Sequence, residues 1–314
     1  MFKAIRIQIP QPCKAQCKWC GTWKKNNFFT KLRDENLSLI LDTYSEIIRE
    51  YKPKYLYVSG GEPILLPQID KFLQRVAPWV GKYIYLFTSF QFSAKRRDNL
   101  SLEKMPWEKM VLTHTSAGFD EKYWLDMTHG FPFELYLDNI IKLGQKPWHK
   151  RFKFILNHKY LRGELEKFAD IIKPDNSWSI SLKLMNNQSG DFGADKIKET
   201  KKNVIEILDK GVANLSLPVA FKTKITGEKI IEGFRTGQGS ELCPYRHQPL
   251  ELRFALYKGT PEYIKFKYRF CSHFPSNKHF IFKTGRDKIE DITNAYKNHD
   301  FFHWCKKCRL KLYT

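Results

Sequence analysis

At 314 residues the chain is long enough to bury a large core, and its length suits one big domain plus an appendage. Hydrophobic residues make up 42% and charged residues 28%, close to globular averages, which excludes wholesale disorder; no apolar run approaches the roughly 18 residues of a membrane span, and the start at Met1–Arg6 lacks a signal-peptide core, so a soluble cytoplasmic protein with no membrane partner is expected. Lys and Arg number 54 against 33 Asp and Glu, a net charge of +21, which exceeds what solubility needs and points to an anionic partner or to a lysine-rich solvated surface.

The first apolar run, Ile5 to Pro10, predicts a strand. It leads into Cys13-Lys14-Ala15-Gln16-Cys17-Lys18-Trp19-Cys20, a C-x3-C-x2-C triplet. Three thiolates can grip three irons of a 4Fe-4S cube and leave the fourth open for chemistry, whereas most structural clusters use four. On the triplet alone, zinc with a distant fourth ligand stays open as the alternative. From Lys14 to Arg33 there are six basic residues and no acidic one. Leu37, Ile40, Leu41, Tyr44, Ile47, Ile48 and Tyr51 then recur at helical spacing, with Asn36 as N-cap. A second strand, Tyr55 to Ser59, ends in Gly60-Gly61-Glu62-Pro63. Paired glycines let backbone approach a ligand closely, and Glu62 offers an acceptor to an ammonium; a plain tight turn is the bland alternative.

On these two motifs, at this separation, the chain resembles the radical S-adenosylmethionine (SAM) family. The resemblance implies that Cys13, Cys17 and Cys20 bind a catalytic 4Fe-4S cluster whose open iron chelates SAM. It further implies that Gly60, Gly61 and Glu62 hold the methionyl end of SAM and that Trp19 packs by the adenine. The family's reduced cluster cleaves SAM to methionine and a 5'-deoxyadenosyl radical, which takes a hydrogen atom from the substrate.

Pro67 opens the next helix, with Ile69, Phe72, Leu73 and Val76 on one face and Pro78 and Gly81 at its close. Strands follow at Tyr83 to Phe87, Lys109 to His114, Phe152 to Asn157 and Trp178 to Leu184. Helical faces lie between and after them, at Ile140 to Leu143, Leu165 to Ile172 and Ile197 to Leu208. Six strand-helix units read as an α/β parallel sheet with right-handed crossovers. The resemblance implies that it curves into a partial (β/α)6 radical SAM barrel, followed by a small α+β iron-sulfur domain. Strand C-terminal ends are where such barrels carry their active residues, which gathers Cys13, Gly60, Thr88, Ser116, Asn157 and Asn186 around one mouth. Thr88, Ser116 and Asn157 are implied SAM contacts. Relatives commonly show Thr-Asn-Gly where this chain has Thr88-Ser89-Phe90, and Ser-x-Asp where it has His114-Thr115-Ser116-Ala117. His114 and His129 are further acid-base candidates, with a structural role as the alternative.

After residue 225 the rhythm changes to aromatic, basic, β-rich segments, setting the expected domains at 1–225 and 226–314. The second carries Cys243, Cys271, Cys305 and Cys308, enough to close a metal or cluster shell. It resembles the SPASM/twitch extension, which implies an auxiliary 4Fe-4S cluster; a structural zinc is the alternative. Two metal-spaced cysteine groups in a chain with an odd total of seven argue for a reducing compartment, and the protein should be oxygen-sensitive. The resulting expectation is a radical SAM enzyme fed by a flavodoxin- or ferredoxin-type electron donor. Its substrate would be an anionic small molecule, a nucleotide-linked molecule or a nucleic acid. Because the chain begins at strand one with no leader-binding domain, a peptide or protein substrate is the second reading. A non-catalytic iron-sulfur or zinc protein that binds nucleic acid is the third, and GGEP speaks against it.

Overall fold

The structure, a computed structural model, describes residues 2–13, 15, 17, 20, 34–100, 104–116, 118–144, 146, 148–156, 167, 171, 178–184, 251–259, 264–269, 280–284 and 286–298. Trp19, Asn157, Asn186, Cys243, Cys271, Cys305 and Cys308 lie outside the described residues.

Strand β1, Ala4–Ile9, buries Ile5, Ile7 and Ile9 completely, because the two-residue strand period puts all three on one face. Helix α1, Asp34–Tyr51, covers that face with Ile40, Leu41, Tyr44, Ile47 and Ile48. It starts at Asp34, ahead of the expected cap at Asn36. Strand β2, Tyr55–Gly60, runs parallel to β1. Helix α2, Ile69–Val76, buries the four expected apolar residues, and Pro78 sits in a tight turn that ends it.

Strand β3, Tyr83–Thr88, leads to a short helix α3, Ala94–Asp98, whose Ser93 cap accepts a hydrogen bond from the Arg96 amide. Strand β4 is Met110–Ser116, two residues longer at its end than its apolar run suggests, because Thr115 and Ser116 still pair with β5. Helices α4, Glu121–Thr128, and α5, Phe133–Gly144, follow. Strands β5, His149–Leu156, and β6, Trp178–Leu184, complete the parallel set.

The sheet order is β6-β5-β4-β3-β2-β1-β7-β8-β9 among the described residues, where β7 is Glu251–Gly259, β8 Ile264–Arg269 and β9 Phe280–Lys283. Six parallel strands in chain order, the first five joined by segments that carry helices among the described residues, fit the partial (β/α)6 architecture expected. Strand β7 continues the sheet by pairing parallel to β1, and β8 and β9 add to it antiparallel. Tyr44 of α1 meets Phe254 and Phe266 at ring distances of 6.2 and 5.0 Å. Helix α6, Ile289–Lys297, accepts a hydrogen bond at the Ile289 carbonyl from Tyr51. The C-terminal strands and helix therefore share the first strands' core.

The two sheet faces differ in chemistry. One carries the Ile, Leu and Val side chains that pack on the helices. On the other, register sets Arg6 beside Tyr57, Tyr57 beside Tyr85, Phe87 beside Thr113, and Thr113 beside Arg151.

Candidate active site

The C-terminal ends of β1, β2 and β3 bring three loops together. Past β1 the Gln11 amide folds back on the Ile9 carbonyl at 3.0 Å, and the Cys20 amide donates to the Cys17 carbonyl at 2.9 Å. Cys13, Cys17 and Cys20 are not disulfide-bonded, and Cys17 is buried. Burial first, then the neighbouring Glu62, pushes Cys13 up to about 12, and burial followed by Cys20 and Cys13 pushes Cys17 well up. Thiolates crowded like this need a cationic centre to hold them ionised, which suits iron. Among the described residues no three Cys, His, Asp or Glu side chains are set to hold a single metal ion. A cubane asks for a different spacing, because each thiolate takes its own iron.

The two glycines of β2's end are required by the cysteine loop itself. A Cβ on Gly60 would stand 2.2 Å from the Ile9 carbonyl oxygen, and one on Gly61 would stand 1.8 Å from that of Gln11 and 2.9 Å from the Cys13 amide nitrogen. Such contacts are impossible, so only glycine lets the backbone leading to Cys13 cross here. Glu62 follows and is 1% exposed. Its Oε2 accepts from the Ser89 amide at 2.7 Å and from the Ser89 hydroxyl. Its Oε1 is buried with no hydrogen-bond partner. Burial raises the Glu62 carboxyl to about 7, against the opposing bonds from Ser89 and Thr88. An acceptor left open beside three thiols fits the ammonium of an amino acid-like ligand, whose charge would restore the carboxylate.

The loop after β3 ties these parts together. The Thr88 hydroxyl accepts from the Phe90 amide and the Ser89 hydroxyl from the Gln91 amide, each at 3.1 Å. The Gln91 side-chain nitrogen donates to Cys17 Sγ at 3.5 Å, while its Oε1 is buried without a partner. Phe90 has φ of 57°, the left-handed region that favours glycine. Its ring is fully buried 4.7 Å from that of His114. The Asn139 amide holds the loop by donating to the Phe90 and Phe92 carbonyls, both at 2.8 Å. Arg97 fixes Asn139 in turn, donating to its Oδ1 at 3.0 Å and to Asp138 at 2.5 Å.

At the end of β4, His114 bridges the Thr88 carbonyl at 3.1 Å and the Tyr136 hydroxyl at 2.8 Å. The Tyr136 and Ser116 hydroxyls lie 2.9 Å apart, and Ser116 accepts from the Gly118 amide at 3.2 Å. Burial lowers His114 to about 3, so the ring is neutral. His129 ends α4 in the left-handed conformation with its amide on the Leu125 carbonyl.

Of the residues expected from sequence, the structure gathers Cys13, Cys17, Cys20, Gly60, Gly61, Glu62 and Thr88. Ser116 stands beyond His114, within the Tyr136 network. Sequence reasoning missed Ser89, Gln91 and Asn139. The one available signal was Ser89, a polar residue directly after the strand end at Thr88.

No family model and no curated protein matches the chain. Solved structures do. Streptococcus suis SuiB bound to S-adenosylmethionine superposes with a TM-score of 0.61 at 11% identity, over 99% of this chain and 71% of that one. SuiB alone gives 0.61 over 96% and 67%, and SuiB bound to the precursor peptide SuiA gives 0.59 over 96% and 66%, both at 11% identity.

Proposed function

We propose that this chain, whose fold is that of the radical SAM enzymes, performs their chemistry: reductive cleavage of SAM and abstraction of a hydrogen atom from a substrate. The observation that carries the reading is Glu62 Oε1, buried with no hydrogen-bond partner, near three cysteines that form no disulfide. Cys13, Cys17 and Cys20 would hold the cluster, and Glu62 would receive the SAM ammonium, with its other oxygen anchored on Ser89. When bound and reduced by an external one-electron donor, the cluster supplies the electron that breaks the sulfur–C5' bond of SAM. Gln91 steadies Cys17, and the glycines keep the cysteine loop against Glu62. Thr88, Ser116, Asn157 and Trp19 remain proposed SAM contacts. Cys243, Cys271, Cys305 and Cys308 are proposed ligands of an auxiliary cluster.

For the substrate, the likeness to SuiB, seen with its precursor peptide in one structure, favours a peptide. The chain's net charge of +21 favours one that carries anionic groups. The test is anaerobic reconstitution followed by dithionite and SAM, with 5'-deoxyadenosine measured. The wild type should make it; Glu62→Gln should keep its iron and bind SAM about tenfold more weakly, the loss of one charge-assisted hydrogen bond. Full cluster occupancy without any deoxyadenosine from the wild type would overturn the reading.

A further inference from the structure

Glu62 is not alone at the mouth in having an acceptor without a donor. Among the described residues three buried side-chain nitrogen or oxygen atoms have no hydrogen-bond partner, and two of them, Glu62 Oε1 and Gln91 Oε1, belong to this cluster of loops. Gln91 is 3% exposed. A buried amide oxygen is rarely left without a donor, because nothing then offsets the loss of its water.

The surroundings fix where that oxygen can be. Asn139 donates to the carbonyls of Phe90 and Phe92, both at 2.8 Å, and so pins the backbone on either side of Gln91. The Gln91 main-chain amide donates to Ser89 Oγ at 3.1 Å, and the same hydroxyl donates to Glu62 Oε2. Glu62 and Gln91 therefore share one serine. Gln91 Nε2 donates to Cys17 Sγ at 3.5 Å. A thiolate that holds iron carries no proton and can only accept, so the carboxamide must keep its nitrogen on Cys17 and leave Oε1 for another donor.

An amino group is the donor that suits this pair. An ammonium has three N–H donors and no acceptor, and one that rests on Glu62 still has donors to place. A hydroxyl has a single proton to give and would leave one of the two oxygens unserved.

We propose that Gln91 is a SAM-contacting residue whose carboxamide bridges cluster and ligand, with Nε2 on Cys17 Sγ and Oε1 accepting from the SAM amino group beside Glu62. The proposal rests on the radical SAM reading of the mouth. It gives the loop after β3 a part in choosing the ligand, since the amino group is read twice, by a carboxylate and by an amide.

The experiment is anaerobic calorimetric titration of the reconstituted chain, its cluster left oxidised so that no SAM is cleaved. The ligands are SAM and the SAM analogue in which hydrogen replaces the amino group. The wild type should prefer SAM. Gln91→Met keeps the length of the side chain without either hydrogen bond, and should bind SAM about tenfold more weakly while the analogue's affinity stays unchanged. A purely structural role would weaken both ligands together. Gln91→Asn keeps the amide but is one methylene too short to span both partners; it should narrow the preference as well, and it decides the matter if Gln91→Met loses its iron. The proposal is overturned if the preference for SAM survives intact in the variant, which would leave Oε1 to water or to another donor. It falls equally if the wild type binds the two ligands alike, or if both variants lose their iron, which would make Gln91 a residue of cluster assembly alone. A wild type with a full cluster that binds neither ligand would overturn the radical SAM reading itself, a result distinct from a preference that Gln91 does not alter.

Discussion

A methyl group on Gly61 would meet the Gln11 carbonyl oxygen at 1.8 Å, and backbone cannot yield there without moving the loop that leads to Cys13. Gly61→Ala should therefore release the cysteine loop, and iron and sulfide retained after reconstitution should drop sharply while far-UV dichroism stays near wild type. Retained iron at the wild-type level would mean that the loop can be displaced without harm. Gln91 acts at the same scale through a single hydrogen bond to Cys17 Sγ. Hydrogen bonds to ligating sulfur favour the more negative, reduced state of a cluster, so Gln91→Leu should lower the midpoint potential by tens of mV or so. Redox titration followed by electron paramagnetic resonance would show it; an unmoved potential would leave Gln91 a packing residue. The cysteines and Glu62 were legible in the sequence because their chemistry depends on residue type and short spacing. Gln91 was not, since a glutamine after a strand announces nothing until the loop brings it to Cys17.

Between elements, the loop after β3 depends on α5. Asn139 holds two carbonyls of that loop, and Arg97 of α3 holds Asn139. This clamp keeps Phe90 in the left-handed conformation that its side chain disfavours. Asn139→Ala would leave two buried carbonyls and one guanidinium N–H without their partner, and should cost about 2–4 kcal/mol in urea unfolding. It should also weaken SAM binding, because Ser89 would no longer be held to Glu62. A loss below about 0.5 kcal/mol would show that the ring of Phe90 alone sets the turn. The six parallel strands and their order followed from apolar runs punctuated by Gly and Pro. The clamp did not, because a polar residue on a helix face reads as solvated surface until its partners are placed.

Across the whole molecule, Glu62 and His114 oppose each other in their response to pH. Burial holds His114 near 3 against an ordinary 6.5. The unfolded chain thus binds a proton there that the folded chain refuses, and the stability is lost as pH falls below about 6.5. Glu62 is raised to about 7 from 4.5. Its folded state keeps a proton that the unfolded chain gives up, so its contribution falls as pH rises between those values. The two slopes offset one another from about pH 4.5 to 6.5, each bounded by about 1.4 kcal/mol per pH unit. Glu62→Gln should uncover the His114 slope, so that the urea midpoint rises with pH across this window more steeply than in the wild type. Parallel profiles would sink the assignment.

By itself the sequence determined the cysteine triplet, the GGEP run and how the parallel strands succeed one another, since residue type, short-range spacing and apolar periodicity are local properties. Tertiary structure alone decided the rest. Pairing of β7 with β1 sets the expected appendage into the first strands' sheet and core. Register across β1, β2, β3 and β5 stacks Arg6, Arg151 and Lys153 on tyrosine and phenylalanine rings. The lone acceptor of Glu62 becomes visible only when every neighbour is in place. Burial and register depend on residues far apart in the chain, and no local pattern records them.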